Sequence, residues 1–396
     1  MDVRRRVLFV DDEPIALQAL ENRLHQQRQS WEMVFAEGPE AALAALQQGH
    51  FDVVASDLRM PQMDGAELLT RVRDLYPGTA RIILSGPETG ELAARALPVA
   101  HQFLDKSCEV EALRSVVDRA CHLLGLLQSA RLRELVGRLQ LLPSPPGTYL
   151  ELGRVLAAES TGVAEVVAVV QRDPALTTKI LQLVNSAYFG LRQQTSSVER
   201  AVAYLGMECV RSLALGAHLF SSFESPPIRG FSLEALQSMA VWTARTVQTL
   251  VSPGARDTGF TAGLVHSAGR MVLAACLPGE LERTIDLARK GSSLVEAERE
   301  VFGASYAEVG ACLLGMWGVP FDVVEAVGLH PRLTELQPGG AELVCALHAV
   351  VARMPGSPLP ALDRLQVARA VGTARLAQWE KMLAAAAPVV APSTPG

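Results

Sequence analysis

The sequence predicts an α/β domain built on a doubly wound parallel sheet, followed by an all-helical region. Three observations carry this. Five short apolar runs, at 6–10, 32–36, 52–56, 80–84 and 100–104, alternate with amphipathic stretches over residues 1–122. Residues able to do chemistry stand where several of those runs end. Beyond Tyr149 no period-2 alternation is sustained, and Leu, Ala and Val recur at helical spacing with Gly and Pro between segments.

The run Val7-Leu8-Phe9-Val10 reads as a buried strand that ends at Asp11 and Asp12. Pro14 suits the first turn of a helix over 14–28. Strand 32–36 leads to helix 38–48, which Gly49 ends, and strand 52–56 leads to Asp57. Helix 65–75 is closed by Pro77, strand 80–84 runs into Ser85, and helix 88–96 precedes strand 100–104. Lys106 follows that last strand, and a further helix starts at 109. Five βα units of this size imply a parallel sheet covered by helices on both faces. From Val110 to Leu142 the helical pattern is nearly unbroken and reads as a rigid connector, stopped by Pro143-Ser144-Pro145-Pro146-Gly147. Asp173-Pro174 is a helix start, with Asp as N-cap and Pro at the first helical position. Ala361–Ala387 reads as one helix and Pro388–Gly396 as a disordered tail. The expected organisation is a first domain over 1–122, a helical linker over 123–140, an all-α domain over 141–355, and a C-terminal helix with tail over 356–396.

The length of 396 residues calls for more than one core. With 49% hydrophobic and 20% charged residues the chain should fold. A net charge of -6 and only 5% aromatic residues argue against broad nucleic-acid binding and base stacking. The six cysteines form no C-x-x-C pair and read as reduced, buried thiols. No signal peptide or bilayer-length apolar span is visible, so a cytoplasmic location is expected.

Ligands of an open parallel sheet bind at the carboxyl ends of its strands. Asp11, Asp12, Asp57, Ser85 and Lys106 should meet there. Three carboxylates, a hydroxyl and an ammonium suit a site that holds Mg²⁺ and takes a phosphoryl group onto a carboxylate.

The stretches Val10-Asp11-Asp12-Glu13-Pro14, Asp57-Leu58-Arg59-Met60-Pro61-Gln62-Met63-Asp64-Gly65, Ser85-Gly86 and Phe103-Leu104-Asp105-Lys106 resemble a response-regulator receiver domain, with its flavodoxin-like sheet. The resemblance implies that Asp57 is the phosphoacceptor and that the donor is a phosphohistidine on a sensor histidine kinase. It implies direct Mg²⁺ ligation by Asp12 and Asp57, water-mediated ligation by Asp11, and a further oxygen from the Arg59 carbonyl. Lys106 would stabilise charge on the transferring oxygens and Ser85 would donate to one of them. Ser85 and Phe103 would form the switch: Ser85 moves inward on phosphorylation and Phe103 rotates into the vacated space. Two departures stand out. Ser107 follows Lys106 where the family usually has Pro; a cis non-proline bond costs about 2.5–4 kcal/mol, so a trans loop is expected. Gly86-Pro87 would stiffen the loop after Ser85.

The helical region resembles an HDOD domain, an output module related to HD-type metallophosphohydrolases. The supporting stretches include Arg172-Asp173-Pro174-Ala175-Leu176-Thr177, Val184-Asn185-Ser186-Ala187-Tyr188-Phe189-Gly190 and Val265-His266-Ser267-Ala268-Gly269. An HD hydrolase needs an adjacent His-Asp pair among several His. Here the pair is His266-Ser267, Tyr306 stands where a His often precedes Ala-Glu-Val-Gly, and the late His-His reads His330-Pro331. A reduced set of His266, His330 and His348 lacks a matching carboxylate, so no cofactor is expected in this domain. Asn185 and Ser186 are read as hydrogen-bonding at a helix end rather than lining a pocket, and Arg172 and Lys179 as a solvated face.

The reading is a two-component response regulator whose non-catalytic HDOD domain binds a downstream signalling protein, with room for a homodimer and no direct nucleic acid or membrane span. The alternative is a metal-dependent cyclic-dinucleotide phosphodiesterase, weakened by Ser267. A transcription factor ranks last, since no basic recognition helix is visible.

Overall fold

The computed structural model describes residues 4–85, 95–96, 99–127, 129–139, 142–144, 146–157, 162–185, 194–206, 210, 221–222, 227–333, 342–354, 357–359 and 362–386. Two compact units divide the chain, the first centred on 1–140 and the second on most of the remainder.

In the first unit, strands β1 (Arg5–Asp11), β2 (Trp31–Glu37), β3 (Val53–Asp57), β4 (Ala80–Ser85) and β5 (Gln102–Asp105) form a parallel sheet in the order β2-β1-β3-β4-β5. Val7, Leu8 and Phe9 are fully buried, as are Val53, Val54 and Ala55, which is why these strands read as continuous apolar runs rather than alternating ones. Each of the larger side chains among them contributes about 1.5–3 kcal/mol on burial. The edge strand β2 is only partly covered. Helices α1 (Pro14–Arg23), α2 (Pro39–Gln48) and α3 (Gly65–Leu75) connect the strands. The expected helix 14–28 stops at Arg23 and tightens into a 3₁₀ turn over His25–Gln29. Of the expected helix 88–96, only Arg95 and Ala96 fall within the described residues, and they are helical.

The continuous connector expected over 110–142 does not form. Helix α4 (Val110–Leu126) ends, Leu127 turns extended at φ -90° and ψ 97° with its side chain fully buried, and a second helix, α5 (Ala130–Arg138), begins. Ser129 caps α5 by accepting the Leu132 N–H at 3.4 Å, and Arg133 Nη1 donates to the Leu127 carbonyl at 2.9 Å. Helical periodicity alone hid the break, because Leu127 is apolar in either backbone state. Leu132 and Val136 turn into the first unit, and a Cβ on Gly137 would stand 1.8 Å from the Pro77 carbonyl oxygen, so only glycine permits this approach.

Arg81 at the start of β4 is 1% exposed. Its Nε donates to the Val99 carbonyl at 2.7 Å and its Nη2 to the Gly137 carbonyl at 2.6 Å. His101 Nδ1 accepts the Arg81 backbone N–H at 3.0 Å, which leaves the ring proton of neutral His101 on Nε2, bonded to the same Gly137 carbonyl. Burial, then the Arg81 charge, holds His101 well below the ordinary histidine range. Burial lowers Arg81 to about 9, so it remains a cation at neutral pH.

Among its described residues the second unit is helical apart from loops and a two-residue parallel pairing of β6 (Pro143–Ser144) with β7 (Ser221–Ser222). Its helices are α6 (Pro146–Ala157), α7 (Val163–Val170), α8 (Pro174–Val184), α9 (Val198–Leu205), α10 (Leu233–Leu250), α11 (Arg256–Val265), α12 (Ala268–Cys276), α13 (Pro278–Arg289), α14 (Leu294–Phe302), α15 (Tyr306–Met316), α16 (Phe321–Leu329) and α17 (Glu342–Val351). The Asp173 carboxylate caps α8, accepting from Ala175 and Leu176 N–H at 2.8 and 3.1 Å. The single helix expected over 361–387 is two, α18 (Arg364–Val371) and α19 (Thr373–Ala385), because Gly372 takes φ +90° between them. The expected tail, 388–396, lies outside the described residues. Five of the cysteines are described and all are free thiols. No described helix is long and apolar enough to cross a membrane.

Candidate functional site

Strand order 2-1-3-4-5 reverses direction between β1 and β3, which opens a crevice at their carboxyl ends. Asp11 ends β1 and Asp57 ends β3, so the two carboxylates arrive side by side on paired strands. Asp12 follows, and ligand oxygens of all three lie within 4.8 Å of one another. Lys106, just past β5, reaches across β4: its Nζ is 2.7 Å from Asp11 Oδ2 and 3.0 Å from Asp57 Oδ1. Asp57 Oδ1 also accepts the Leu58 N–H at 2.7 Å, and Asp11 Oδ1 accepts the Glu13 N–H at 3.1 Å.

The loop after β3 is drawn tight by Gly65, whose N–H donates to the Leu58 carbonyl at 2.9 Å. A Cβ there would stand 2.1 Å from the Asp57 carbonyl oxygen, so a side chain would push α3 away from the end of β3. Asp64 caps α3 through the Glu67 N–H at 2.9 Å. Arg59 lies exposed in this loop.

Lys106 is aimed without the family's usual proline. The described peptide bonds are all trans, and the turn is held by Asp105, whose Oδ1 accepts the Ser107 N–H at 2.7 Å and its hydroxyl at 2.5 Å. Arg23 anchors the same turn from α1, donating to the Lys106 carbonyl at 3.1 Å and to the Cys108 carbonyl.

Burial raises the Asp57 pKa, and the hydrogen bond and charge of Lys106 only partly offset it. For Lys106 burial pulls down, but its bonds to Asp11 and Asp57 prevail and its pKa is raised. The cluster thus has three carboxylates sharing one ammonium, a set of oxygen donors that suits a hard divalent cation. Phe103 is buried in β5. Ser85 ends β4, but its side chain and the Gly86-Pro87 turn lie outside the described residues.

The second cluster is closed. His266, Ser267, Tyr306, His330 and His348 are each at most 3% exposed. His266 Nδ1 meets the Gly263 carbonyl at 2.7 Å and His330 Nδ1 the Val327 carbonyl at 2.8 Å, contacts in which the ring N–H donates. The Tyr306 hydroxyl then donates to His330 Nε2 at 2.7 Å. His348 Nδ1 donates to the His330 carbonyl at 2.7 Å. Burial lowers His266 to about 4 and His330 well below the ordinary range. Beside them Glu298 is fully buried: its Oε2 accepts the Tyr306 N–H at 2.7 Å, and Arg270 Nε lies 3.6 Å from Oε1. Burial outweighs that arginine and lifts Glu298 to about 7. Among the described residues, Asp11, Asp12 and Asp57 are the one group of three or more such side chains close enough to hold a metal.

Sequence patterning missed Arg81, His101, Arg270 and Glu298. A charged residue inside the apolar run Ala80-Arg81-Ile82-Ile83-Leu84 was the available signal for the first. Lys179 is not on a solvated face: it is 4% exposed and donates to Gln182 at 2.9 Å. Arg172 is exposed and pairs with Glu151 at 2.7 Å, and Ser186 lies outside the described residues.

A doubly wound sheet with an acidic pocket and a lysine at its carboxyl edge defines a receiver-type protein. The family model of the response regulator receiver domain matches residues 7–118, and that of the HDOD domain matches 142–333. The chain is a response regulator that joins a receiver domain to an HDOD domain. It is 27% identical to the MmoQ response regulator of Methylococcus capsulatus, covering 60% of this chain and 97% of that one, with a TM-score of 0.49. It is 33% identical over 132 residues, 33% of this chain, to the transcriptional regulatory protein GlrR of Escherichia coli. It is 25% identical over 214 residues, 50% of this chain, to an uncharacterized protein of Treponema pallidum. The chain spans 29% and 39% of the length of those two relatives.

Proposed function

We propose that Asp57 is the phosphoacceptor of a two-component pathway and that the HDOD domain acts by binding rather than by hydrolysis. The observation that carries the first part is Lys106 Nζ within hydrogen-bond distance of both Asp11 and Asp57. A carboxylate oxygen of Asp57 attacks the phosphorus of a phosphohistidine on a sensor kinase, the P–N bond breaks, and the imidazole leaves with a proton. Asp11, Asp12, Asp57 and the Arg59 carbonyl would hold Mg²⁺. The ion, when bound, neutralises phosphoryl charge and relieves repulsion between the anions. Lys106 stabilises the transferring oxygens from the other side. Ser85 would donate to the acyl phosphate, and Ser85 with Phe103 would form the switch. Incubation with acetyl phosphate and Mg²⁺ should label the full-length chain, and Asp57→Asn should abolish the label. Persistent labelling of the variant would exclude Asp57.

The binding role of the HDOD domain is supported by ring nitrogens of His266 and His330 engaged by backbone carbonyls and Tyr306. Its partner would be a downstream signalling protein, in the cytoplasm, with no direct DNA contact. Metal analysis of the purified full-length protein should find no iron, manganese or zinc at stoichiometric level. Such a metal, together with cyclic-dinucleotide hydrolysis, would favour the phosphodiesterase reading.

A further inference from the structure

The two strands expected to move on phosphorylation also grip the helix that follows the receiver. Arg81 opens β4, which Ser85 ends, and His101 directly precedes β5, with Phe103 two residues further on. Strand residues two apart share a face, so His101 and the buried Phe103 lie on the same side of the sheet. Arg81 and His101 are tied to each other twice: the Arg81 carbonyl accepts the His101 N–H at 2.8 Å, and the ring of His101 accepts the Arg81 N–H at 3.0 Å.

From that joint, two donors converge on one oxygen, the Gly137 carbonyl in the last turn of α5. Last-turn carbonyls lack an intrahelical partner and carry the negative end of the helix dipole, so a cation suits this end. Among the described residues no carboxylate pairs with Arg81; its side-chain bonds go to the Thr79, Val99 and Gly137 carbonyls. Buried donors without partners are costly, and packed interiors switch between discrete arrangements rather than flexing. The grip is therefore sensitive to the relative placement of β4 and β5: a shift that spoils one donor's geometry leaves a buried charge short of a partner.

We propose that Arg81, His101 and Gly137 form a latch that passes the state of the Asp57 end of the sheet to helix α5, so that phosphorylation of Asp57 loosens residues 130–138. This rests on Asp57 being the acceptor. The helix is the last element before the HDOD domain, so its release is a change that the second unit can receive through the chain itself.

Amide hydrogen exchange on the full-length protein tests this, with acyl-phosphate occupancy measured by intact mass on the same sample. Phosphorylated wild-type protein should exchange amides of 130–138 about tenfold faster than the unmodified protein, while β1 and β3 stay protected. Gly137→Ala drives a Cβ into the Pro77 carbonyl without touching either strand, and Arg81→Met removes the charged donor. Both should show the fast rate before phosphorylation, still take the phosphoryl group, and gain little from it. Unchanged protection of 130–138 in a sample with Asp57 demonstrably phosphorylated would overturn the latch and leave the acceptor assignment standing. Wild-type protection in unmodified Gly137→Ala would do the same. A sample that never takes the phosphoryl group would remove the acceptor assignment and the latch with it.

Discussion

The Asp57 cluster and the His330 cluster are both assembled from polar side chains with little exposure, yet they balance charge in opposite ways. Around Asp57, three carboxylates face one ammonium at the rim of a sheet, and Lys106 stays about a third exposed. The excess negative charge is of the kind a hard divalent cation balances. Around His330 the groups are nearly all inside: the Nδ1 atoms of His266 and His330 are taken by the Gly263 and Val327 carbonyls and His330 Nε2 by the Tyr306 hydroxyl, while Ser267 Oγ and His348 Nε2 are buried without a hydrogen-bond partner. Buried polar groups persist when they are hydrogen-bonded, and the ring nitrogens so engaged cannot also ligate a metal. The lesson is that the donor set alone does not make a site; what remains unspent at its open side does.

The sharpest way to break this comparison is to return the missing carboxylate to the second cluster. Ser267→Asp recreates a His-Asp pair at a position 2% exposed. We expect no metal uptake and a loss of about 3–5 kcal/mol at neutral pH, the usual cost of an uncompensated buried charge, read by chemical denaturation. Stoichiometric metal with a raised melting point would show that the cluster is still a metal centre.

Glu298 comes next. Its carboxyl is lifted from 4.5 to about 7, so the folded protein holds a proton that the unfolded chain releases. That linkage makes stability fall as pH rises from 4.5 to about 7. Glu298→Gln keeps an acceptor for the Tyr306 N–H and should remove this slope, gaining on the order of 2–3 kcal/mol at pH 8, read by denaturation across pH. The lowered His266 runs the other way: stability rises with pH between about 4 and 6.5 as its unfolded form gives up a proton. In Glu298→Gln that rise, to which the lowered His101, His330 and His348 also contribute, should no longer be offset by Glu298.

Tyr306→Phe removes the hydroxyl from His330 Nε2 and leaves that nitrogen buried without a partner. A loss of about 1–2 kcal/mol is expected, with no effect on labelling of Asp57. The smallest effect should be in the receiver. Because burial raises Asp57, its ionised form weakens the metal-free fold once pH passes the ordinary carboxylate range. Asp57→Asn should raise the midpoint of metal-free protein at pH 7 by a few degrees, equivalent to about 1 kcal/mol, and Mg²⁺ should stabilise wild type more than the variant. Equal Mg²⁺ effects on both would mean that Asp57 is not a ligand.

Much of this was legible in the residues themselves. Each strand was placed within two residues because central parallel strands are unbroken apolar runs, and the acidic rim followed from where those runs end. The aim of Lys106 was not legible, since the Asp105–Ser107 turn and the Arg23 anchor are local and long-range bonds that no period encodes. Nor was the break at Leu127: a buried leucine fits the helical stripe whether or not the helix continues. Nor does one charge in an apolar strand, Arg81, reveal that its partner is a backbone carbonyl 56 residues away.

The close seat of Gly137 on Pro77 bears on how such a receiver is transplanted. A graft cut at 122 would carry the Asp11, Asp12, Asp57 and Lys106 cluster but strip Leu132 and Val136 from its underside. A cassette that runs through Leu139 keeps helix α5 with its seat on Pro77 and its bond from Arg81, and chimaeras joined there should fold with both intact.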